Sequence, residues 1–242
     1  MPVPVRTLVV AATAALALTG CQKVGDEAFG QRVRAYLLEH PEVIQESVTK
    51  LQQKQEAEAV KAATAGLKTY RKQLERDPRD FVANPDGSIT VVEFFDYNCG
   101  YCKLAAPEVV KLIKENPDVR FVFKEFPIFG GDSNLAAEVI LSEPARPKTL
   151  ELYRNFMAAK PLDGPAIDRL LREAGVDPAA ARAAGKAEAV QKQISDVRAL
   201  ASSLRIEGTP AFVVGDRLIS GADMGALRQA IAETRVAKAK AG

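Results

Sequence analysis

Histidine is almost missing from this 242-residue chain, where His40 stands alone. Cysteine is scarce too, limited to Cys21, Cys99 and Cys102, and the methionines Met1, Met157 and Met224 are scattered without any Met- or His-rich tract. These shortages exclude chemistry. A structural zinc site takes about four ligands, and two cysteines with a distant histidine do not supply them. No metal ligand set is expected, and no cofactor. Charge is nearly balanced, with 33 Lys and Arg against 31 Asp and Glu, so nothing in it suggests a nucleic-acid partner. The apolar run from Leu8 to Leu18 is too short to span a bilayer comfortably as a helix.

What is present is concentrated in Val91-Val92-Glu93-Phe94-Phe95-Asp96-Tyr97-Asn98-Cys99-Gly100-Tyr101-Cys102. A β-type apolar run stops at two cysteines separated by two residues, and an amphipathic segment follows. That order places a dithiol at a strand end and a helix start. Helix N-termini carry partial positive charge and free N–H groups, which favour a thiolate. Haem attachment needs histidine directly after the second cysteine, and Lys103 stands there. A bland structural disulfide is the remaining rival; so short a ring removes little loop entropy, which favours a redox-active bond.

The first residues read as a secretory signal. Arg6 is the only charged side chain before Lys23, and the apolar run follows it. The run ends in Leu18-Thr19-Gly20-Cys21, which resembles the lipobox of bacterial lipoproteins. By that resemblance residues 1–20 are removed and Cys21 carries the lipid, giving a membrane-anchored protein of the periplasm. Gln22 after the cysteine leans toward the outer membrane. The alternative is cleavage after Ala17, which leaves Cys21 free and the cysteine count odd. Exported proteins sit where disulfides persist. Removing Arg6 from the formal charge of +2 leaves +1 for the mature chain.

The later segments order themselves around the dithiol. Phe81-Val82 reads as a short edge strand and Ile89 to Phe95 as a central one. A helix from Cys99 carries Leu104, Val109, Leu112 and Ile113 on its apolar face, with Pro107 as a kink. Val119 to Phe123 is the next strand, giving a β–α–β unit. Gly208-Thr209-Pro210 precedes a strand at Ala211 to Val214, a turn at Gly215-Asp216 and a strand at Arg217 to Ile219. A final helix covers about Asp223 to Val236. Between the halves, about Asp132 to Leu204 is Ala-rich and helical in period, so a helical block is inserted into the α/β unit.

The Cys99–Cys102 helix with Pro107, and the late Thr209-Pro210 before a strand, resemble a thioredoxin fold. The inserted helical block makes the chain similar to the DsbA family. Glu93 to Lys103, Lys124-Glu125-Phe126-Pro127-Ile128 and Gly208-Thr209-Pro210-Ala211-Phe212 resemble its ScsC-like (suppressor of copper sensitivity) branch, over about Arg32 to Ile231. The implied class is α/β: a thioredoxin fold at 79–131 and 205–242, an inserted helical domain at 132–204, and a helical stalk or oligomerisation segment at 21–78. Relatives usually have an Ala-rich helical turn where this chain has Ser142-Glu143-Pro144-Ala145-Arg146-Pro147. Two prolines there predict a loop.

Chemistry and resemblance together give the roles. Cys99 attacks or accepts the client sulfur, Cys102 resolves the mixed disulfide, and the dipeptide Gly100-Tyr101 tunes the redox poise. Pro210 is implied to be a cis-proline, with Thr209 offering backbone groups to an extended client and its hydroxyl to the Cys99 sulfur. An ordinary trans turn is the alternative. Glu93 lies inside an apolar run, where desolvation raises a carboxyl pKa, and the resemblance makes it a proton relay for Cys102. The alternative is a solvated, edge-facing glutamate. Lys124 either lends charge to the site or is a surface lysine, and His40 reads as a helix-end residue.

The N-terminal extension from Asp26 to Asp77 is helical in character, interrupted by Pro41. Phe29, Val33 and Tyr36, then Ile44, Val48 and Leu51, then Val60, Ala63, Leu67, Tyr70 and Leu74 recur at three and four. Such a stripe must be buried on its own domain or on copies of itself. In ScsC-like relatives such extensions trimerise, so a homotrimer through residues 26–77 is expected, with a charged spacer as the alternative. The implied activity is thiol–disulfide exchange on exported client proteins, as an isomerase or reductase kept reduced by a membrane redox partner. The alternatives are a DsbA-type oxidase, a copper-sequestering lipoprotein, and a stalk-and-adhesin role that leaves the cysteine pair unexplained.

Overall fold

The computed structural model describes residues 27–241. The expected signal segment 1–20 and the lipid-bearing Cys21 lie outside the described residues. Within them the chain divides into two compact units, one ending at Ala59 and one beginning at Val60. The first unit holds α1 (27–39) and the start of α2 (Glu42–Thr69), parted at Pro41. His40 sits at that break, its Nδ1 3.2 Å from Glu42 Oε1. Phe29, Val33, Tyr36, Ile44, Val48 and Leu51 are all exposed, so the stripe read from the sequence is left uncovered in this unit.

The second unit is built on a five-stranded sheet of β1 (Phe81–Ala83), β2 (Ile89–Phe95), β3 (Val119–Glu125), β4 (Ala211–Val214) and β5 (Arg217–Ser220). Its spatial order is β1-β3-β2-β4-β5. β2 and β3 run parallel, and every other pair is antiparallel. Parallel neighbours need a crossover, supplied by α4 (Gly100–Glu115), in which Pro107 lies without ending the helix. The helices α5 (Gly131–Leu141), α6 (Thr149–Ala158), α7 (Gly164–Glu173), α8 (Pro178–Gly185) and α9 (Glu188–Ser203) fall between β3 and β4, and α10 (Met224–Ala241) closes the chain.

Both sheet faces are covered, which explains why β2 and β3 read as continuous apolar runs. Val91, Phe95, Phe121, Phe123 and Phe212 face one core with Cys99, Cys102 and the inserted helices. Val92, Phe94, Val122 and Val213 face the other, against Leu67 and Leu74 from the chain before the sheet, Val197 and Leu200 from α9, and Leu204 just after it. Within the segment expected to run over 21–78, Leu67 and Leu74 bury their part of the stripe on this body, through the end of α2 and α3 (Arg71–Glu75). Pro144 and Pro147 do interrupt the helices there, but as a 3-10 turn over Glu143–Lys148 and not as an open loop.

Lys124 is neither a surface lysine nor part of the dithiol site. Its position in β3 alternates with Phe123 and Glu125 and points to the second core, where it is 1% exposed. Its ammonium donates to Asp80 and, at 2.6 Å, to Gln73 O. Removing one member of a buried pair strands the other charge, whereas removing both can be nearly neutral. Lys124→Met alone is expected to lower unfolding stability by about 3–5 kcal/mol in urea titration, with Asp80→Leu/Lys124→Met recovering most of the loss.

Candidate active site

β2 delivers the site at its end. The Asp96 carboxylate, 1% exposed, accepts from Asn98 N (2.7 Å), Ile128 N (2.7 Å), Phe129 N (3.0 Å) and the Ser133 hydroxyl (2.7 Å). It ties the turn before the cysteines to the loop after β3. The Asn98 amide donates to Leu162 O at 3.2 Å, so the same turn is fixed to the inserted block.

Cys99 is the N-cap of α4, with extended backbone and its sulfur accepting from Cys102 N at 3.3 Å. Cap residues satisfy the free N–H groups of a first helical turn; here the sulfur does so. Both thiols are free, Cys99 2% and Cys102 0% exposed. Their environments drive them apart. The Cys102 side chain, Thr209 and the backbone N–H groups of Cys102 and Tyr101 hold the Cys99 thiol down to about 6 from 9.0, against burial. Burial, then the hydrogen bond with Cys99, pushes the Cys102 thiol far up. The two sulfurs thus differ in how readily each gives up its proton. Gly100 and Tyr101 between them are exposed.

Register brings the late motif to the same place. Glu93 pairs with Phe212 and Phe94 with Ala211, which puts Thr209-Pro210 beside the end of β2. The Thr209–Pro210 peptide is cis. The protonated Cys99 thiol donates to Thr209 O at 3.2 Å. The Thr209 hydroxyl is buried as well, and the Thr209 side chain helps hold the Cys99 thiol down.

Glu93 is fully buried on the dithiol face of β2. Burial pushes its carboxyl up to about 8 from an ordinary 4.5, a hydrogen bond from Tyr153 opposing and the Cys99 charge adding to the rise. The Tyr153 hydroxyl of α6 lies 3.2 Å from both Oε1 and Oε2. A second pair stands alongside: the Tyr97 hydroxyl donates to Glu125 Oε1 at 2.9 Å, and burial keeps Glu125 well above the carboxylate range. Phe95, Tyr97, Phe123, Tyr153 and Phe156 pack edge to face around them. Lys103 points away, its ammonium on Phe156 O (3.2 Å) and Ala159 O (2.6 Å).

Asp96, Tyr97, Glu125 and Tyr153 escaped the sequence reading. Glu125 carries the same mark as Glu93, a carboxylate in an apolar strand, inside Val122-Phe123-Lys124-Glu125-Phe126. Tyr153 had no local mark, since only tertiary packing of the inserted block brings it to Glu93. Among the described residues no group of three or more His, Cys, Asp or Glu is placed to hold a metal ion.

The lowered Cys99 pKa predicts that iodoacetamide alkylation of the reduced protein rises with pH through a midpoint near 6, the thiolate dominating above it. Because the Cys102 side chain is the largest contributor, Cys102→Ala is expected to move that midpoint up, read by the same alkylation series.

Comparison with known proteins agrees with this geometry. Residues 90–232 match the model of the DSBA-like thioredoxin domain, and residues 27–58 match that of the copper resistance protein ScsC N-terminal domain. The thiol:disulfide interchange protein DsbA of Bordetella pertussis is 31% identical over 142 residues, covering 55% of this chain and 66% of that protein. The chain thus spans just under two thirds of the length of that relative. The crystal structure of Salmonella enterica Typhimurium BcfH superposes with a TM-score of 0.70 at 32% identity, covering 91% of this chain and 98% of that one. A Proteus mirabilis ScsC linker-deletion mutant superposes with a TM-score of 0.67 at 27% identity, covering 85% and 92%. With its cysteine pair, cis-proline and sheet in the arrangement described, the chain belongs to the DSBA-like thioredoxin family.

Proposed function

We propose that this protein exchanges disulfides in exported client proteins through Cys99 and Cys102, in the isomerase or reductase direction. The observation that carries the reading is the split between two neighbouring thiols, one held down to about 6 and the other pushed far up by burial. The Cys99 thiolate attacks a client disulfide, forming a mixed disulfide and releasing one client thiolate. Cys102 then passes its proton to the Glu93 carboxylate and attacks the Cys99 sulfur. The Cys99–Cys102 bond forms, the bond to the client breaks, and the second client thiolate leaves. The client is reduced by two electrons, or the mixed disulfide is instead resolved by another client thiol, which is isomerisation.

An extended client would lie along Thr209-Pro210, near exposed apolar side chains at Tyr101, Leu104, Ile128 and Phe129. Support for the isomerase direction comes from the N-terminal unit. Its uncovered stripe from Phe29 to Leu51 and its match to the ScsC N-terminal domain favour self-association, with a trimer the expected form, so that several dithiols would share one client. Cys21 would hold the assembly on a periplasmic membrane face, the outer membrane favoured, with a membrane redox partner returning Cys99–Cys102 to the dithiol.

The test uses purified reduced protein with scrambled and with fully reduced ribonuclease in parallel. Reactivation of the scrambled substrate is expected, abolished by Cys99→Ala and lost on deleting residues 27–58, while that deletion leaves simple dithiol exchange intact. Rapid oxidation of the reduced substrate without rescue of the scrambled one would make the protein an oxidase. Stoichiometric Cu(I) binding without exchange would make it a copper carrier.

A further inference from the structure

The inserted helical block contributes one polar group to the dithiol chemistry. Tyr153 stands on α6 and is 1% exposed, and its hydroxyl lies 3.2 Å from both oxygens of Glu93. Among the described residues it is the one hydrogen-bond partner of that carboxyl. Among the described residues no ammonium or guanidinium is aimed there: Lys103 is engaged with the Phe156 and Ala159 carbonyls and Lys124 is on the other sheet face. The groups that face Glu93 are Cys99 and Cys102 from α4, Tyr153 from α6, and, through the aromatic cluster, Tyr97 and Glu125.

A carboxylate in such surroundings is tolerated only where a donor meets it. A phenol has a particular merit here, since it donates to a carboxylate and accepts from a carboxylic acid. The same hydroxyl can serve both proton states of Glu93 without moving.

We propose that Tyr153 is the positioning residue that lets Glu93 ionise and so accept the Cys102 proton, coupling the inserted helical block to the resolving step. The inference rests on the exchange reading above. It concerns the second half of the reaction alone: Cys102–SH and Glu93–COO⁻ become a Cys102 thiolate and Glu93–COOH, and the thiolate displaces the leaving sulfur from Cys99. The first attack, by Cys99, does not use Tyr153.

Reaction of the reduced full chain with the aromatic disulfide DTNB separates the two halves. The first thionitrobenzoate released reports attack by Cys99, and the second reports resolution by Cys102. In Tyr153→Phe the first release is expected to be unchanged. The second should slow about tenfold at pH 7, as loss of a hydrogen bond to a charged group implies. The sign follows from the bond: Tyr153 favours the ionised carboxyl, so its loss raises the Glu93 pKa and moves the pH profile of the second release upward, with the rate recovering at high pH. Glu93→Gln/Tyr153→Phe should be no slower than Glu93→Gln, which a packing defect would not reproduce. The infrared carboxyl band absent from Glu93→Gln should titrate at higher pH in Tyr153→Phe, a readout independent of rate. An unchanged second-release profile and band in Tyr153→Phe, or additive slowing in the double variant, would overturn the proposal. Absence of both releases from the wild-type protein would instead sink the exchange reading.

Discussion

The Cys99 sulfur sits where α4 begins, and the Cys102 thiol, followed by the N–H groups of that first turn, stabilises its charge. Those donors are free because β2 ends abruptly and the helix starts within one tight turn, pinned by the Asp96 carboxylate. Three residues on, the same helix carries Cys102 inward to full burial. A single helical turn thus separates a sulfur in a field of amide dipoles from one in an apolar core. Reactivity at one and reluctance at the other follow from position rather than residue type, and the rest of the body serves to keep that turn in place.

Much of this was legible in the chain. The strands around Val91 and Val122, the cysteine pair at a helix start and the Thr209-Pro210 step are local patterns, and local patterns survive in sequence. Glu93 was visible because a carboxylate inside an apolar run is a contradiction that demands a special environment. The parts that were not legible depend on which neighbours folding supplies. That the Thr209 carbonyl accepts from the Cys99 thiol depends on a pairing across the sheet that no local pattern announces. Leu67 and Leu74 stand at the same separation as Ile44 and Leu51, and periodicity cannot say which stripe finds a cover. Lys124 could be placed only once the strand's alternation had a register.

The two units solve the same problem differently. From Leu67 on, most apolar positions are covered by strand and helix faces of the same body, with Tyr101, Leu104, Ile128, Phe129 and Val236 left exposed. In α1 and the start of α2 they stay open to solvent, at spacings a second helix could match. The chain therefore keeps its chemistry on a self-sufficient body and leaves its unsatisfied surface on a separate one.

Strand alternation has a further consequence. Glu93 and Glu125 look to one side of the sheet while Lys124, between them in register, looks to the other. A backbone ladder and two layers of aromatic and aliphatic side chains act as a partition between an acidic compartment beneath the dithiol and an ion pair behind it. The rear face, α3, α9 and their contacts, therefore meets the sulfur chemistry only across that sheet, so its packing and the reactive turn are separate demands on one set of strands.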